Sequence, residues 1–407
     1  VKRIGILGGG QLGSLLLESI YRLGGTAAIY DVDVDAPGCK RTPFVFNGGW
    51  NDVAKLEPFF KSCDAVTYEF ENVESDGIAK FENDYAICPS TQVLKTTQDR
   101  ISEKAFISQA GLPHVDFVVV EERKKLEEAA LAFGFPFIIK TARGGYDGKG
   151  QWLIRSEADW KEFLKQSGGT PPDKPFRVVL ERLLEIAMEV SCIVARSPRG
   201  EEVCFPVFEN EHKDHILDIT VVPARISAAL ETAIKDIALS AARQLGVFGL
   251  LTTEFFLSNS PGDNAHGVQV GSWHIYINEF APRPHNSGHV TMKACTISQF
   301  DALARILLGV PLTAPHIVAP GYFCMGNLLG DVWIAQNRPA AELDLSRSVQ
   351  FPEVIDVVLY GKKEARAKRK MGHFITYANS AQAATATARA FREALQNNSV
   401  TTGKEFK

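Results

Sequence analysis

The stretch IIKTARGGYDGKGQ, residues 138–151, puts Lys140 at the end of an apolar run and then sets Tyr146, Asp147 and Lys149 among Gly144, Gly145, Gly148 and Gly150. Glycines let a backbone approach an anion, and lysine adds charge, so this composition suits a loop that cradles phosphate. It is not a P-loop: Gly144-x-x-x-Gly148-Lys149 is one residue short, and Gly150 stands where a magnesium-binding Ser or Thr belongs. Lys140, in an apolar strand, calls for an anionic partner.

Two lone acids come next. Glu254 lies in LLTTEFFL and Glu279 in IYINEF, with Asn278 beside it. If these strands form a hairpin, both carboxylates can face one side. Magnesium takes hard oxygen ligands, typically one or two carboxylates plus nucleotide phosphates. The plainer reading is a pair of acids matched to arginines. Directly after Glu279, the run APRPHNSGH carries Arg283, His285, Asn286, Ser287 and His289. Pro284 and Gly288 deny the helix that a zinc-binding H-x-x-x-H would use, so the run reads as a polar loop that hydrogen-bonds a substrate. A basic run, YGKKEARAKRKMGH, holds Lys362 and Arg369 seven residues apart. It reads either as a solvated face or as a pocket for a second phosphate.

At the other end of the chain, ILGGGQLGSLL contains Gly8, Gly10 and Gly13 after an apolar strand, and Asp31 closes the next strand. That spacing is a dinucleotide fingerprint, which places backbone N–H groups and a helix dipole at an anion.

The elements that must position these residues alternate over the first hundred positions. KRIGIL, TAAIYD, PFVF and DAVTYEF read as strands separated by amphipathic helices, the pattern of a doubly wound parallel sheet. A helix starts near Gln98 and Asp99. Strand–loop–strand follows around the glycine loop, then strands at FRVVLE, AMEVSCIVAR and EEVCFPVF, and a long helix closed by Gly246. The polar segment 258–272 reads as a surface loop between the two acid-bearing strands, and the chain beyond Pro311 as a small α+β unit with an Ala-rich packing helix.

The 407 residues allow two or three domains. A net charge of −4 argues against coating a nucleic acid. Seven scattered cysteines without a C-x-x-C pair suit a reducing compartment, and no apolar stretch approaches about 20 residues. The chain is therefore expected to be cytoplasmic, without nucleic-acid or membrane partners.

Taken together, GGGQLG, VTYEFENV, TQDRISEK, IIKTARGGYDGKGQ, INEFAPRPHNSGH and YGKKEARAKRKMGH resemble the ATP-grasp enzymes. The closer similarity is to the 5-(carboxyamino)imidazole ribonucleotide synthases of purine biosynthesis. The motifs occur in that family's order along the whole chain. The resemblance implies α/β and α+β architecture: a Rossmann-like domain over 1–97, an ATP-grasp domain over 98–310 with a lid near 114–185, and a small C-terminal domain over 311–407. It implies an ATP site at Arg100, Lys140, Gly145, Tyr146, Asp147, Gly148, Lys149, Gly150, Gln151, Glu181, Arg182, Leu183, Leu184, Glu189, His212, Asn278 and Glu279. Magnesium, with manganese as an alternative, falls on Glu254 and Glu279. The ribonucleotide falls on Gln11, Glu71, Tyr146, Asp147, Arg283, His285, Asn286, Ser287, Lys362 and Arg369. Asp147, Lys140, Arg283 and His285 would be catalytic.

The implied reaction is carboxylation of the exocyclic amine of aminoimidazole ribonucleotide. ATP and bicarbonate would give carboxyphosphate, which, or CO2 released from it, meets the amine, and Asp147 would accept the amine's proton. The family also implies a homodimer. The glycine turn would then face the ribonucleotide side and would not bind NAD. Another ATP-grasp ligase, a formate-dependent glycinamide ribonucleotide transformylase or a biotin carboxylase, is the alternative. His215 stands where the family usually has glycine, Ser14 replaces a common arginine, and the segment 258–272 is long.

Overall fold

The computed structural model describes residues 1–145, 150–166, 176–260 and 266–397. The N-terminal part is a parallel sheet ordered Phe44–Asn47, Thr26–Asp31, Arg3–Leu7, Ala65–Tyr68. Ile4, Ile6 and Leu7 are fully buried, which is why this strand reads as an unbroken apolar run. Helix Gln11–Arg22 leaves the glycine turn directly and buries Leu12, Leu15, Leu16, Ser19 and Ile20.

The turn itself holds an anion of the chain's own. Gly10 N–H donates to Glu69 Oε1 at 2.5 Å, Gly13 N–H to Glu69 Oε2 at 2.7 Å, and Gly9 N–H to Asp31 Oδ2 at 2.6 Å. A Cβ on Gly10 would sit 2.3 Å from Glu69 Oε1, so no side chain fits there. The fingerprint is thus explained by an internal carboxylate, and these amides are not an open site for a dinucleotide.

Two helices, Thr91–Gln98 and Arg100–Gln109, meet at Asp99, whose extended backbone breaks them. Its carboxylate caps the second by accepting from Ile101 and Ser102 N–H at 3.1 and 3.3 Å. An antiparallel sheet follows, ordered Phe117–Val120, Val178–Arg182, Phe137–Thr141, Gln151–Ile154. The two strands expected on either side of the glycine loop therefore form and pair with each other. Tyr146, Asp147, Gly148 and Lys149 lie outside the described residues.

The central sheet has ten strands among the described residues. It runs Val268–Val270, Trp273–Ala281, Gly249–Ser258, Met188–Arg196, Phe208–Lys213, Ile216–Val222, Tyr322–Leu329, Lys370–Ala378, Val354–Leu359, with Glu202–Cys204 beside Met188–Arg196. Helix Ala228–Gln244 covers one face, packing Leu230, Ile234 and Ala238 on Val190, Cys192 and Phe255. On the other face, helix Gln299–Leu308 and the N-terminal helix share one core with Ile193, Leu250, Met325 and Ile375.

Two sequence expectations change here. The segment 258–272 contains the edge strand Val268–Val270, paired with Trp273–Ile275, so it is not all loop. The C-terminal unit continues the central sheet, since Tyr322–Leu329 pairs with Ile216–Val222. Its Ala-rich helix, Ala381–Gln396, does pack as expected, burying Ala384, Ala388, Phe391 and Leu395. No helix among the described residues is long and apolar enough to cross a membrane.

Asp214 and His215 form the two-residue turn between strands Phe208–Lys213 and Ile216–Val222, with φ of 51° and 64°. Both central residues of such a turn are left-handed, and the second is usually glycine. A β-carbon in that conformation costs roughly 1–2 kcal/mol, partly offset by the greater chain entropy of glycine. His215→Gly is accordingly expected to raise stability by up to about 1 kcal/mol. Denaturant midpoints at equal m-value would measure this, and an unchanged or lower midpoint would contradict it.

Candidate active site

One face of the central sheet carries a row of polar side chains. Glu254 is directly opposite Glu279 on one neighbouring strand and Ser191 on the other. Asn210 is opposite both Glu189 and Thr220. Residues opposite one another, or two apart along a strand, project to the same face, so these residues line one surface. The pairing slips between Glu254 and Phe255, leaving Asn278 as the extra residue of a bulge. A bulge re-aims side chains locally, and here it sits beside an acid. The hairpin expected from sequence therefore forms and brings the two carboxylates together.

Glu254 Oε1 lies 2.8 Å from His285 Nε2. Burial alone would raise its pKa, but the hydrogen bond from His285 and the positive groups nearby, Arg283 included, hold it at about 2. Glu279 Oε2 pairs with Arg100 Nη2 at 3.1 Å. Two carboxylates fit a divalent cation only if other oxygens complete its shell, as nucleotide phosphates do for magnesium.

Cations cluster around Glu181. Lys140 Nζ is 2.8 Å and Lys104 Nζ 3.5 Å from Glu181 Oε2, and Arg100 Nη1 is 3.9 Å from Oε1. Lys140 reaches it because Ile138 is opposite Glu181, which makes Lys140 and Glu181 diagonal neighbours on one face. Burial would raise Glu181, yet these charges hold its pKa at about 2. Arg100 Nη1 and Glu181 Oε1 are buried without a hydrogen-bond partner among the described residues. An unpartnered buried guanidinium N–H suits a phosphate oxygen. Lys104, fully buried, also donates to the carbonyl of the bulged Asn278 at 3.0 Å. Glu103 accepts from Phe280 N–H at 2.7 Å. Burial pushes its pKa up to about 8, so at neutral pH it adds little negative charge to this cluster.

On the other side of Glu254, Arg283 Nη2 meets Glu71 Oε1 at 2.9 Å. Gln98 holds the Glu71 segment through the carbonyls of Glu71 and Val73. Both polar atoms of Asn286 are buried and unpartnered among the described residues. Gln299 clamps the His285 backbone, accepting its N–H at 2.8 Å and donating to its carbonyl at 2.7 Å. Lys362 Nζ donates to Lys370 O at 2.7 Å. Burial first, then the charge of Arg369, lowers its pKa to about 8, against a partial pull upward from Glu69. Farther along the row, His212 Nδ1 lies 2.9 Å from Glu189 Oε2. Burial would depress His212, but Glu189 outweighs it and raises the pKa.

Against known proteins, the ATP-grasp domain family matches residues 105–300 and the ribonucleotide synthetase preATP-grasp domain family residues 1–98. The phosphoribosylaminoimidazole carboxylase C-terminal domain family matches residues 324–387. A Staphylococcus aureus (strain MRSA252) protein named N5-carboxyaminoimidazole ribonucleotide synthase is 35% identical over 92% of each chain. The chain belongs to the N5-carboxyaminoimidazole ribonucleotide synthase family. It is thus an ATP-grasp ligase with a pre-ATP-grasp N-terminal domain and the family's C-terminal domain. Among solved structures, the Staphylococcus aureus N5-carboxyaminoimidazole synthetase complexed with ADP superposes with a TM-score of 0.83 at 33% identity, covering 96% of this chain and 97% of that one. The Aspergillus clavatus N5-carboxyaminoimidazole synthase in complex with ADP and 5-aminoimidazole ribonucleotide gives 0.81 at 25% identity, covering 97% and 98%.

With the family in view, the residues singled out from sequence fall into three groups. Arg100, Lys140, Glu181, Asn278 and Glu279 are gathered around one charged cluster. In a second group, Glu71 pairs with Arg283, Glu254 and Ser287 both contact His285, and Glu189 and His212 pair with each other. A third group stands apart. Arg182, one residue past Glu181, points to the opposite face, where its guanidinium lies 4.2 Å over the Phe133 ring and donates to Gly134 O at 2.8 Å. Its side chain therefore packs against the helix Leu126–Phe133 and the turn after it, away from the Lys140–Glu181 face. Arg369 is exposed and donates to Glu364 O at 2.8 Å.

Lys104, Glu103, Glu69 and Ser191 went unnoticed in the sequence. Glu103 and Lys104 stand in the helix that opens with Arg100, where nothing in their type or spacing sets them apart. Only their complete burial marks them out.

Proposed function

We propose that the chain carboxylates the exocyclic amine of 5-aminoimidazole ribonucleotide at the expense of ATP, with bicarbonate as the carbon source. The observation that carries this reading is the position of the Glu254–Glu279 pair. One of these carboxylates is tied to the Arg100–Lys140–Glu181 cluster, the other to His285 beside Arg283. Two anionic reactants can therefore meet at one carboxylate pair.

Glu254 and Glu279 would hold magnesium, which when bound would draw charge from the phosphate oxygens of ATP. Lys140 and Arg100 would neutralise the transferring phosphoryl group as a bicarbonate oxygen attacks the γ-phosphorus and ADP departs. The resulting carboxyphosphate, or CO2 lost from it, would meet the amine. A C–N bond forms, inorganic phosphate is the other product, and the amine proton goes to a base. Asp147 is our candidate for that base, and Tyr146, Gly148 and Lys149 for loop contacts; all four lie outside the described residues. Arg283, His285, Asn286, Lys362 and Arg369 would bind the ribonucleotide, with Gln11 and Glu71 at its edge. Gly145, Gly150, Gln151, Leu183 and Leu184 would frame the nucleotide, and Glu189 its ribose. Domain limits of 1–97, 98–310 and 311–407, a homodimeric assembly and a cytoplasmic site of action belong to the same proposal. They rest on the family resemblance.

ADP release should require bicarbonate and be stimulated by aminoimidazole ribonucleotide, but not by glycinamide ribonucleotide or biotin. A coupled assay for ADP decides this. Stimulation by formate with glycinamide ribonucleotide would transfer the chain to the other ligase.

A further inference from the structure

We propose that Ser191, Asn210 and Thr220 are positioning residues that lock the His285 ring in one orientation and one tautomer, with its Nε2–H given to Glu254. The proposal deepens the reading above and rests on it for the roles of His285 and Glu254.

Three neighbouring strands, Ile216–Val222, Phe208–Lys213 and Met188–Arg196, bring a continuous chain of hydrogen bonds to the ring. Thr220 Oγ1 donates to Asn210 Oδ1 at 2.9 Å, and Asn210 Nδ2 donates to Ser191 Oγ at 2.9 Å. The Ser191 and Ser287 hydroxyls are 2.9 Å apart, and Ser287 Oγ is 2.8 Å from His285 Nδ1. Ser191, Ser287 and Thr220 have no exposed surface, and Asn210 is 6% exposed. No part of this chain is an accident of mobile surface groups.

The direction of the chain follows from which atoms carry hydrogen. The Asn210 amide nitrogen can only donate, so Ser191 Oγ accepts there and passes its own proton to Ser287. Ser287 in turn donates to His285 Nδ1. A second donor agrees: the Ser287 backbone N–H, which cannot accept, lies 3.4 Å from the same Nδ1. With Nδ1 accepting, the ring proton sits on Nε2, 2.8 Å from Glu254 Oε1. The opposite direction would leave the Ser191 proton without an acceptor among the described residues. In this direction Ser191 and Ser287 each accept once and donate once, and buried networks satisfied in this way are rigid.

The consequence is geometric. Partners behind a ligating or substrate-binding group fix its tautomer and aim, and removing them commonly costs about 10–100-fold in function. Ser191 stands opposite Glu254 in the sheet, so the same strand register that sets the carboxylate also sets the last-but-one link of the chain behind the imidazole.

The decisive variant is Asn210→Asp. An aspartate only accepts, so Ser191 must donate to it, Ser287 must donate to Ser191, and His285 Nδ1 must become the donor. Long-range proton–nitrogen NMR on the full, histidine-labelled chain reads the tautomer, with the His285 signals assigned by their loss in His285→Asn. The expected result is a wild-type ring protonated on Nε2 alone and an Asn210→Asp ring protonated on Nδ1. Turnover with aminoimidazole ribonucleotide should fall by about 10–100-fold in that variant, while the KM for ATP stays within about two-fold. Thr220→Val should give a smaller loss that Thr220→Ser restores, and this pair carries the test if Asn210→Asp does not fold. A wild-type ring with a proton on Nδ1 overturns the proposal, as does an Asn210→Asp protein with unchanged tautomer and turnover. The tautomer is read on the protein without substrates. It therefore stands or falls independently of which ribonucleotide the chain carboxylates.

Discussion

Glu254→Gln and Glu279→Gln should each cut turnover at least about 100-fold while the protein stays folded. Losing one charged ligand from a magnesium site removes several kcal/mol of transition-state stabilisation, and each 1.4 kcal/mol is about ten-fold in rate. The fold should tolerate both changes, because the glutamine oxygen can still accept from His285 Nε2 or Arg100 Nη2, the partners seen at 2.8 and 3.1 Å. Magnesium binding itself, followed by calorimetry with a non-hydrolysable ATP analogue, should weaken in both variants. Two single mutants with normal turnover would make these acids ordinary ion-pair partners. The depressed pKa of Glu254 adds a sign that can be checked. A carboxylate held at about 2 in the fold stabilises it above the ordinary value near 4.5. That contribution should be lost as the pH falls from about 4.5 through about 2. Glu254→Gln should therefore unfold with a shallower acid limb than the wild type.

Lys362→Ala should weaken ribonucleotide use by about 10- to 150-fold and leave ATP affinity nearly unchanged. A charge-assisted hydrogen bond to phosphate is worth about 1.5–3 kcal/mol, which sets that range. Arg369→Ala should cost less. On the proposed reading it would remove one phosphate partner, but it also removes the neighbouring charge that helps lower Lys362 to about 8. The same value predicts a pH dependence. In the free protein Lys362 loses its proton as the pH rises through about 8, and phosphate binds the protonated form. Ribonucleotide affinity should consequently decline above that pH in the wild type and show no such decline in Lys362→Ala. Titration of each ligand against both variants from pH 7 to about 9 measures this. Small, equal effects on both ligands would return the basic run to the status of a solvated face, for which changes within about 0.5 kcal/mol are usual.

The basic run shows why sequence could go only part of the way. Six cations in nine residues look alike on paper, yet Lys363, Arg366, Lys368 and Arg369 are exposed, whereas Lys362 is half-buried against Tyr360 and Lys370 is half-buried at the start of a strand. Nothing local distinguishes them, because burial depends on which strand edge the loop lies against. The carboxylates were the opposite case. A lone acid inside an apolar strand is costly unless it has a task, and two such strands in succession favour a hairpin, so Glu254 and Glu279 were legible before any fold was known.

What the sequence determined by itself was the inventory: the strands flanking the glycines, the paired acids, the polar run from Arg283 to His289 (of which Ser287–Val290 turns out to be a short 3-10 helix), and through these the family. Such signals are local, since residue type and spacing set strand, turn and helix propensity within about a dozen positions. Partnership was decided by the tertiary structure. The glycine turn shows that an anion must sit at Gly10 and Gly13, but the anion is Glu69, 59 and 56 residues away, brought there by a parallel strand pairing. Likewise Lys104 becomes a buried link between Glu181 and Asn278, and Thr220, Asn210 and Ser191 become a wire to His285, only when three strands align in register. A donor announces itself in sequence, but its acceptor is chosen by long-range packing, because hydrogen bonds and ion pairs are set by positions in space within about 3 Å and not by separation along the chain.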